Sequence, residues 1–229
     1  AGLPNFMNIA GENLSGVLSS NEYLTRVNLM GAGRLKEADT PVFLGKTVAV
    51  IGGGNTAMDS VRTALRLGAE KAMIVYRRSE EEMPARVEEV KHAKEEGVTF
   101  LTLHNPIQYT GDEKGRVKQM VLQKMELGEP DASGRRKPVE IPGATETLDV
   151  DLVIVAIGVS PNPLVPRAFH GLNMSKWGTI IVDQNSLQTD LPDVFAGGDI
   201  VRGGATVILA MGDGRKAAAA MHQQLFGKS

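Results

Sequence analysis

The stretch Thr47-Val-Ala-Val-Ile-Gly-Gly-Gly-Asn-Thr-Ala-Met-Asp59 decides the fold of this chain. An apolar, β-branched run leads into three glycines and then into a segment of helical spacing that ends at Leu67-Gly68. A buried strand, a glycine turn and a helix in this order are typical of the first unit of a doubly wound parallel sheet. We therefore predict an α/β protein with a Rossmann-like domain built around this stretch.

The glycine turn has the pattern Gly52-x-Gly54-x-x-Ala57, which is typical of a site for the pyrophosphate of a dinucleotide. Gly52 lets the chain leave the strand sharply, and Gly54 lets the pyrophosphate approach the backbone because it has no Cβ. The N–H groups of Asn55 and Thr56 are expected to face the phosphates at the positive end of the helix dipole. A P-loop for ATP fits less well, because no Lys-Ser/Thr pair follows the glycines.

Two arginines follow the strand predicted over residues 72–76, where a dinucleotide site reads the adenosine ribose. An NAD site usually has a carboxylate there, whereas the guanidinium groups of Arg77 and Arg78 can bind a 2′-phosphate through charge-assisted hydrogen bonds. The pair therefore favours NADPH over NADH. The alternative is two solvated arginines on a loop.

Later segments contain a second strand that ends in small residues and a second glycine turn, Gly197-Gly198, which leads to Asp199. Residues 148–158 predict a buried strand whose small residues Ala156 and Gly158 leave space for a ligand at its carboxyl end, unless they are only a strand exit. Short strands are predicted over 178–183 and 194–196. A helix is predicted over 206–225, and its dipole would point toward Asp199 and any ligand that Asp199 binds. Residues 128–137 predict a polar hairpin loop without a functional signal.

Composition limits the classes of function. The chain has 229 residues and a formal net charge of −2, which argues against a general nucleic-acid or membrane-surface binder. Because it has no apolar run of about 20 residues and no signal layout, we expect a cytoplasmic protein. It has no cysteine, so electron chemistry would need a bound cofactor, and its four scattered histidines predict no metal site.

Eight stretches resemble the small-subunit family of glutamate synthase, which comprises reductases that bind FAD and NADPH. The family includes the β chain of NADPH-dependent glutamate synthase, a subunit of the ferredoxin:NADP transhydrogenase and a domain of dihydropyrimidine dehydrogenase. The stretches are Gly2-Leu-Pro, Gly11-Glu-Asn-Leu-Ser-Gly-Val, Tyr23-Leu, Val50-Ile-Gly-Gly-Gly-Asn-Thr-Ala-Met-Asp59, Tyr76-Arg-Arg-Ser-Glu, Met83-Pro-Ala, Ala156-Ile-Gly and Thr189-Asp-Leu-Pro-Asp-Val-Phe-Ala-Gly-Gly-Asp199.

The resemblance implies a glutathione-reductase-like architecture, in which a Rossmann-like NADPH-binding domain is inserted in a partial FAD-binding domain. Residues 1–40 would be the end of the first FAD-domain segment and a linker. Residues 41–158 would form the NADPH-binding domain, and residues 159–229 the C-terminal FAD-domain segment.

The resemblance also implies where the two cofactors bind. The NADPH pyrophosphate would lie at Gly52, Gly54, Asn55 and Thr56, and the 2′-phosphate at Arg77 and Arg78. Gly198 and Asp199 would bind the ribityl or pyrophosphate part of FAD, and the backbone of Ala205, Thr206 and Val207 would face the flavin pyrimidine edge. Hydride would pass from nicotinamide to flavin, so no catalytic side chain is predicted.

The family's flavin-binding glycine turn and its cysteine-rich iron–sulfur region would lie upstream of Ala1. We therefore expect a fragment of a longer chain with an incomplete FAD site. Its partner would be the large subunit of glutamate synthase or another electron acceptor. The alternatives are a module that holds NADPH without turnover and the equivalent part of a transhydrogenase or pyrimidine reductase.

Overall fold

The structure, a computed structural model, describes residues 2–34 and 38–227. These residues form two compact units, one of residues 4–158 and one of residues 159–227 together with Gly2 and Leu3. Residues 4–34 and 38–40 thus lie in the same unit as the residues that follow them, whereas residues 35–37 of the predicted linker lie outside the described residues. The domain boundary proposed at residue 41 stays a prediction.

The centre of the chain has α/β character, with short elements before it and a 20-residue helix near the C-terminal end of the described residues. The strands are β1 (Leu3–Pro4), β2 (Val17–Ser19), β3 (Thr47–Ile51), β4 (Lys71–Tyr76), β5 (Thr99–Thr102), β6 (His104–Gly111), β7 (Val117–Pro130), β8 (Arg136–Asp149), β9 (Leu152–Val155) and β10 (Val159–Ser160). The helices are α1 (Ser20–Leu24), continued by a π-helical turn (Thr25–Leu29), α2 (Asn55–Arg66), a 3-10 turn (Glu80–Glu82), α3 (Val87–Glu95), α4 (Leu164–Ala168), α5 (Asp199–Arg202) and α6 (Val207–Phe226).

A five-stranded parallel sheet in the order β2-β9-β3-β4-β5 forms the centre of the larger unit. Strand β3 pairs with β4 on one side and with β9 on the other, so that Val48 lies opposite both Ala72 and Leu152. Its residues are almost wholly buried because both faces of the sheet are covered. The chain order reverses on either side of β3, so the carboxyl ends of β3 and β9 lie at the switch point where open α/β sheets bind ligands.

Each face of the sheet has its own apolar core. On one face, α2 buries Met58, Val61 and neighbouring residues against the sheet, since these positions recur at helical spacing. On the other face, the antiparallel sheet β6-β7-β8 buries Met120 and Leu122 against Val153 and its neighbours. The tip of the β7–β8 hairpin reaches beyond the core, toward the segment that follows β4.

The smaller unit has a small core and little regular strand structure. Ile180, Val182, Leu187 and Ala217 are its buried apolar residues, with α6 as its longest helix. The predicted strands over 178–183 and 194–196 are wrong, because only isolated bridges form there, such as the one between Met174 and Ile180. The Ile180 N–H donates to a carbonyl at the start of α5 instead of a neighbouring strand.

No helix within residues 2–34 and 38–227 combines the length and the apolar character that a bilayer crossing requires.

Candidate dinucleotide site

Gly52 is held between the carboxyl ends of β4 and β9. Its φ is +135°, and a Cβ at this position would lie 2.3 Å from the carbonyl oxygen of Ala156. The Gly52 N–H donates to the Val75 carbonyl at 3.0 Å, and the Ala156 N–H donates to the Ile51 carbonyl at 2.8 Å. Only glycine fits here, because any side chain would meet both a left-handed backbone and a backbone oxygen. The fold itself therefore requires this first glycine.

Gly54 lies in a different environment. Its φ is −92°, and a Cβ there would find no atom within 4 Å outside the adjoining backbone. At Gly53, by contrast, a Cβ would lie 2.8 Å from the Tyr76 ring. Packing explains Gly53, but nothing within the described part of the chain explains why position 54 lacks a side chain. The open space beside Gly54 is the space that the predicted pyrophosphate would need.

The N-terminus of α2 presents free donors to that space. Asn55 and Thr56 are exposed, and their backbone N–H groups have no hydrogen-bond acceptor within residues 2–34 and 38–227. The next two N–H groups, of Ala57 and Met58, both donate to the Gly54 carbonyl. Two free N–H groups at the positive end of a 12-residue helix favour an anion.

The Asn55 side chain and the Gly53 carbonyl connect the glycine turn to the start of α3. Asn55 Oδ1 accepts the Arg86 N–H at 2.8 Å, and the Gly53 carbonyl accepts the Ala85 N–H at 3.0 Å. These bonds hold the segment between β4 and α3 against the turn. The role of the Asn55 side chain was not predicted from the sequence, because its partner lies 31 residues away.

The structure separates the two arginines predicted at the 2′-phosphate. Arg77 is exposed and makes no ion pair with any described residue. Arg78 is only 5% exposed, and its Nη2 lies 2.6 Å from Asp131 Oδ2 while its Nε donates to the Arg136 carbonyl at 2.8 Å. Arg77 is thus available to a ligand, whereas Arg78 is engaged by the β7–β8 hairpin. A phosphate contact by Arg78 stays a prediction.

The predicted strand end lies at the same edge of the sheet. Ala156 is buried against the glycine turn, where its carbonyl oxygen excludes any side chain at Gly52. Gly158 is exposed with φ +101°, and its carbonyl accepts the Asn5 N–H at 3.0 Å. Ala156 therefore shapes the turn directly, while contact of either residue with a cofactor stays a prediction.

A second candidate locus lies within the smaller unit, where Asp199 borders a cavity of about 550 Å³. Asp199 is exposed, and its Oδ1 accepts the Ala205 N–H at 3.2 Å. The Ala205 N–H is therefore already bonded, whereas the Val207 N–H at the start of α6 has no acceptor in the described part of the chain. Thr206 caps the helix, with its Oγ1 accepting the Leu209 N–H at 3.4 Å.

Asp213, which the sequence analysis missed, supports this locus from within α6. The Gly198 N–H donates to its Oδ2 at 2.9 Å, and Arg202 donates to both carboxylate oxygens at 2.7 Å. The bonds from Arg202, followed by that from Gly198, lower the pKa of the buried carboxyl to about 2. A Cβ on Gly197 would lie 2.7 Å from the Asp213 Cβ, so the aspartate also explains that glycine. The partners of Asp213 lie 11 and 15 residues away, so its role could not be predicted from its neighbours in the sequence.

Comparisons with known proteins identify the family of the chain. A sequence model of the family described as pyridine nucleotide-disulphide oxidoreductase matches residues 2–220. The chain is 42% identical to the glutamate synthase [NADPH] small chain of Azospirillum brasilense over 217 residues, covering 93% of this chain and 44% of that protein. It is 43% identical to the NADP(+)-dependent formate dehydrogenase subunit beta of Moorella thermoacetica over 221 residues, covering 96% of this chain and 30% of that protein. The chain thus spans less than half the length of these relatives.

Solved structures confirm the predicted fold. Mycobacterium tuberculosis FprA in complex with NADPH superposes with a TM-score of 0.75 at 20% identity, covering 99% of this chain and 62% of that one. The thioredoxin reductase of T. acidophilum superposes with a TM-score of 0.69 at 19% identity, covering 98% of this chain and 64% of that one.

The predicted resemblance and the predicted cofactor classes are confirmed at the level of the family. Its members are enzymes that bind FAD and NADPH. The match of the family model to nearly the whole chain carries the assignment, since identity to the solved structures is low. The chain therefore belongs to the pyridine nucleotide-disulphide oxidoreductase family.

Proposed function

We propose that this chain is the NADPH-binding part, and a portion of the FAD-binding part, of a reductase of the glutamate synthase small-chain type. In this function it takes electrons from NADPH and passes them through a flavin to a partner. The observation that carries the proposal is the start of α2. There, open space at Gly54 meets two N–H groups that have no acceptor among the described residues, and exposed Arg77 lies at the same edge of the sheet.

The residues of the larger unit bind and orient the nucleotide. The N–H groups of Asn55 and Thr56 bind the pyrophosphate, and Gly54 leaves it room to approach. Arg77 binds the 2′-phosphate and so distinguishes NADPH from NADH. Ala156 and Gly158, at the end of β9, border the crevice in which the rest of the nucleotide lies. Bound NADPH supplies a hydride, so these residues provide position and charge and no proton transfer.

In the smaller unit, Gly198, Asp199 and the residues that open α6 are proposed to contact FAD. Asp199 accepts a hydrogen bond from a ribose or ribityl hydroxyl with its second oxygen, since its first is bonded to the Ala205 N–H. The N-terminus of α6, from Thr206 to the free Val207 N–H, stabilises negative charge on a reduced ring. Asp213 holds the Gly198 turn in place for this contact.

The electron acceptor is proposed from the relatives. Glutamate synthase small chains from three bacteria match at 38–42% identity. The proposed partner is therefore a glutamate synthase large subunit, in which the electrons serve glutamate synthesis. The formate dehydrogenase subunit matches at 43% identity, so the similarity supports the reductase module more strongly than any one acceptor.

Binding of NADPH and NADH by point variants tests the nucleotide site. Gly54→Val places a side chain in the open space and is expected to weaken both nucleotides, while Arg77→Ala is expected to weaken NADPH alone. The loss for Arg77→Ala is about 1.5 kcal/mol, or roughly tenfold in Kd, because the lost charged hydrogen bond is exposed. Arg116→Ala is the matched control, because this arginine is also exposed but lies at the opposite, amino edge of the sheet. Its backbone forms an isolated β-bridge with Ser15, just before β2.

Equal loss of both nucleotides in Arg77→Ala would refute the 2′-phosphate assignment, and unchanged binding in Gly54→Val would refute the glycine turn as the site. The visible absorption spectrum, recorded after incubation with FAD and desalting, tests the flavin. Flavin bands that persist and bleach with NADPH would support the reductase half-reaction. A colourless protein that binds NADPH would restrict these residues to nucleotide binding.

A further inference from the structure

The tip of the β7–β8 hairpin, residues 131–135, and the start of β8 form hydrogen bonds and ion pairs with the segment that follows β4. Asp131, in the tip, pairs with Arg78 at 2.6 Å, and Arg136, where β8 begins, accepts the Arg78 Nε–H with its carbonyl at 2.8 Å. In the opposite direction, Arg136 Nε donates to Glu82 Oε1 at 2.8 Å. Arg136 Nη2 also lies 3.6 Å from Glu81 Oε2. Three ion pairs and one hydrogen bond to a backbone carbonyl thus join segments that are more than 50 residues apart. We call this set of contacts the hairpin clasp.

Contacts from two separate segments anchor Arg78. Its side chain is 7% exposed, and its backbone carbonyl accepts the Leu103 N–H at 3.1 Å. Backbone and guanidinium are therefore anchored separately, one by the start of β6 and the other by the hairpin tip. With Arg78 directed under the hairpin, the preceding residue, Arg77, is left exposed to solvent.

The Glu82 end of the hairpin clasp is just as firmly held. The Glu82 carbonyl accepts the Tyr76 hydroxyl at 2.9 Å, and its carboxylate accepts the Ser79 hydroxyl. The hydrogen bond from Ser79, with the further one from Arg136, lowers the pKa of Glu82. The hydrogen bonds from Ser133, with the charge of Arg78 beside it, likewise lower the pKa of Asp131. Both carboxylates are thus charged at neutral pH, and each faces an arginine.

The clasped segment continues directly into the proposed nucleotide site. After Glu82 the chain bonds to the glycine turn through the Ala85 N–H and the Gly53 carbonyl, and then to Asn55 through the Arg86 N–H. The segment from Arg77 to Arg86 is therefore held at one end by the hairpin and at the other by the turn.

We infer that Asp131 is a positioning residue that makes the site selective for a 2′-phosphorylated nucleotide. Asp131 holds Arg78, and Arg78 holds the start of the segment in the conformation that presents Arg77 at the carboxyl edge of the sheet. Without the ion pair, Arg78 has an unpaired charge under the hairpin and the Arg77–Arg78 backbone loses its fixed direction. This inference rests on the proposed function, because it assigns Arg77 to the 2′-phosphate.

The test is the binding of NADPH and NADH by Asp131→Asn in the full chain. An asparagine keeps the oxygen that accepts the Ser133 N–H, so the hairpin turn still forms, but it loses the charge that pairs with Arg78. We expect about fivefold weaker NADPH binding, the factor that corresponds to a coupling near 1 kcal/mol, and unchanged NADH binding. In an Arg77→Ala background the same change is expected to have no further effect on NADPH.

Asp112→Asn is the matched control. Asp112 also accepts backbone N–H groups in a hairpin turn, from Lys114 and Arg116 at 2.9 Å, but it pairs with no arginine side chain among the described residues. Its replacement is expected to leave the NADPH-to-NADH ratio unchanged. Melting temperatures of both variants separate a loss of stability from a loss of selectivity, because a merely structural role would leave that ratio unaltered.

Three outcomes would contradict the inference in different ways. If Arg77→Ala weakens NADPH but Asp131→Asn does not, the positioning role is refuted and the proposed function stands. Tighter NADPH binding in Asp131→Asn would mean that Asp131 competes with the phosphate for Arg78, the opposite of the role inferred here. If Arg77→Ala leaves NADPH binding unaltered, the proposed function and the inference both fail.

Discussion

The contrast between Gly52 and Gly54 leads to a prediction with two separable readouts. In Gly52→Ala, the new methyl group would have to occupy a position 2.3 Å from the Ala156 carbonyl oxygen, at a φ of +135°. The backbone conformation costs a non-glycine residue about 1–3 kcal/mol, and relief of the overlap costs about another 1–3 kcal/mol. We therefore expect the free energy of unfolding to fall by about 2–6 kcal/mol, a large part of the roughly 5–15 kcal/mol that a domain has.

Gly54→Ala is the matched change, two residues along the same turn. Its φ of −92° suits alanine and its Cβ would meet no atom within 4 Å. Alanine is a less favourable N-cap than glycine, which lowers the free energy of unfolding by about 0.5–1 kcal/mol. Alanine also reduces the conformational entropy of the unfolded chain, which raises the free energy of unfolding by about 0.4–1 kcal/mol. Its free energy of unfolding is expected to stay within about 0.5 kcal/mol of the parent, while NADPH binding weakens.

Urea denaturation followed by circular dichroism measures the first readout, and fluorescence titration with NADPH measures the second. For Gly52→Ala a fall of roughly 4 kcal/mol corresponds to a melting temperature lower by about 8–16 °C. A Gly52→Ala protein as stable as the parent would refute the contact between the turn and β9. A Gly54→Ala protein that binds NADPH normally would show that a methyl group does not reach the pyrophosphate.

Two further predictions concern pH. Because the pKa of Asp213 is lowered to about 2 in the folded chain, its carboxylate stabilises the fold above the unfolded pKa near 4, and this stabilisation is lost as the pH falls toward 2. The urea midpoint of the parent should exceed that of Asp213→Asn at pH 7 and pH 5, and the gap should narrow between about pH 4 and pH 2; a constant gap would contradict the prediction. Burial raises the pKa of Tyr23 to about 12 and also raises that of Tyr109, so the phenolate absorbance of the native chain at about pH 10 should lack both residues. Their ionisation at that pH in the folded state would refute their burial.

Much of the fold could be predicted from short stretches of sequence. The run before Gly52 is apolar throughout and β-branched, which suits a strand buried on both faces, and the α2 segment has helical spacing. Both patterns arise from residues that are close together in the sequence, so they can be recognised without knowledge of tertiary contacts. The predicted strand over 178–183 failed because its pairing stops at the isolated bridge between Ile180 and Met174, which is too short to form a strand ladder.

The two arginines show the same limit at the candidate site. Adjacent in sequence and alike in chemistry, Arg77 and Arg78 were predicted to act together on one phosphate. In the structure the hairpin tip covers Arg78 and leaves Arg77 exposed. The sequence around residue 78 does not indicate that Arg78 is covered, because its partner Asp131 lies 53 residues further along the chain.

The sequence by itself determined the sheet-and-helix centre, the glycine turn after β3 and the family. A glycine turn acts through its own backbone, so the residues that make it must be contiguous and can be recognised in the chain. Tertiary structure alone decided that the fold needs Gly52 while Gly54 is left open, and that Asp213 holds the second glycine turn. It also decided which of the two arginines is exposed to solvent and which is covered by the hairpin tip. Each of these depends on a contact between residues far apart in sequence, and such contacts form only when the chain packs.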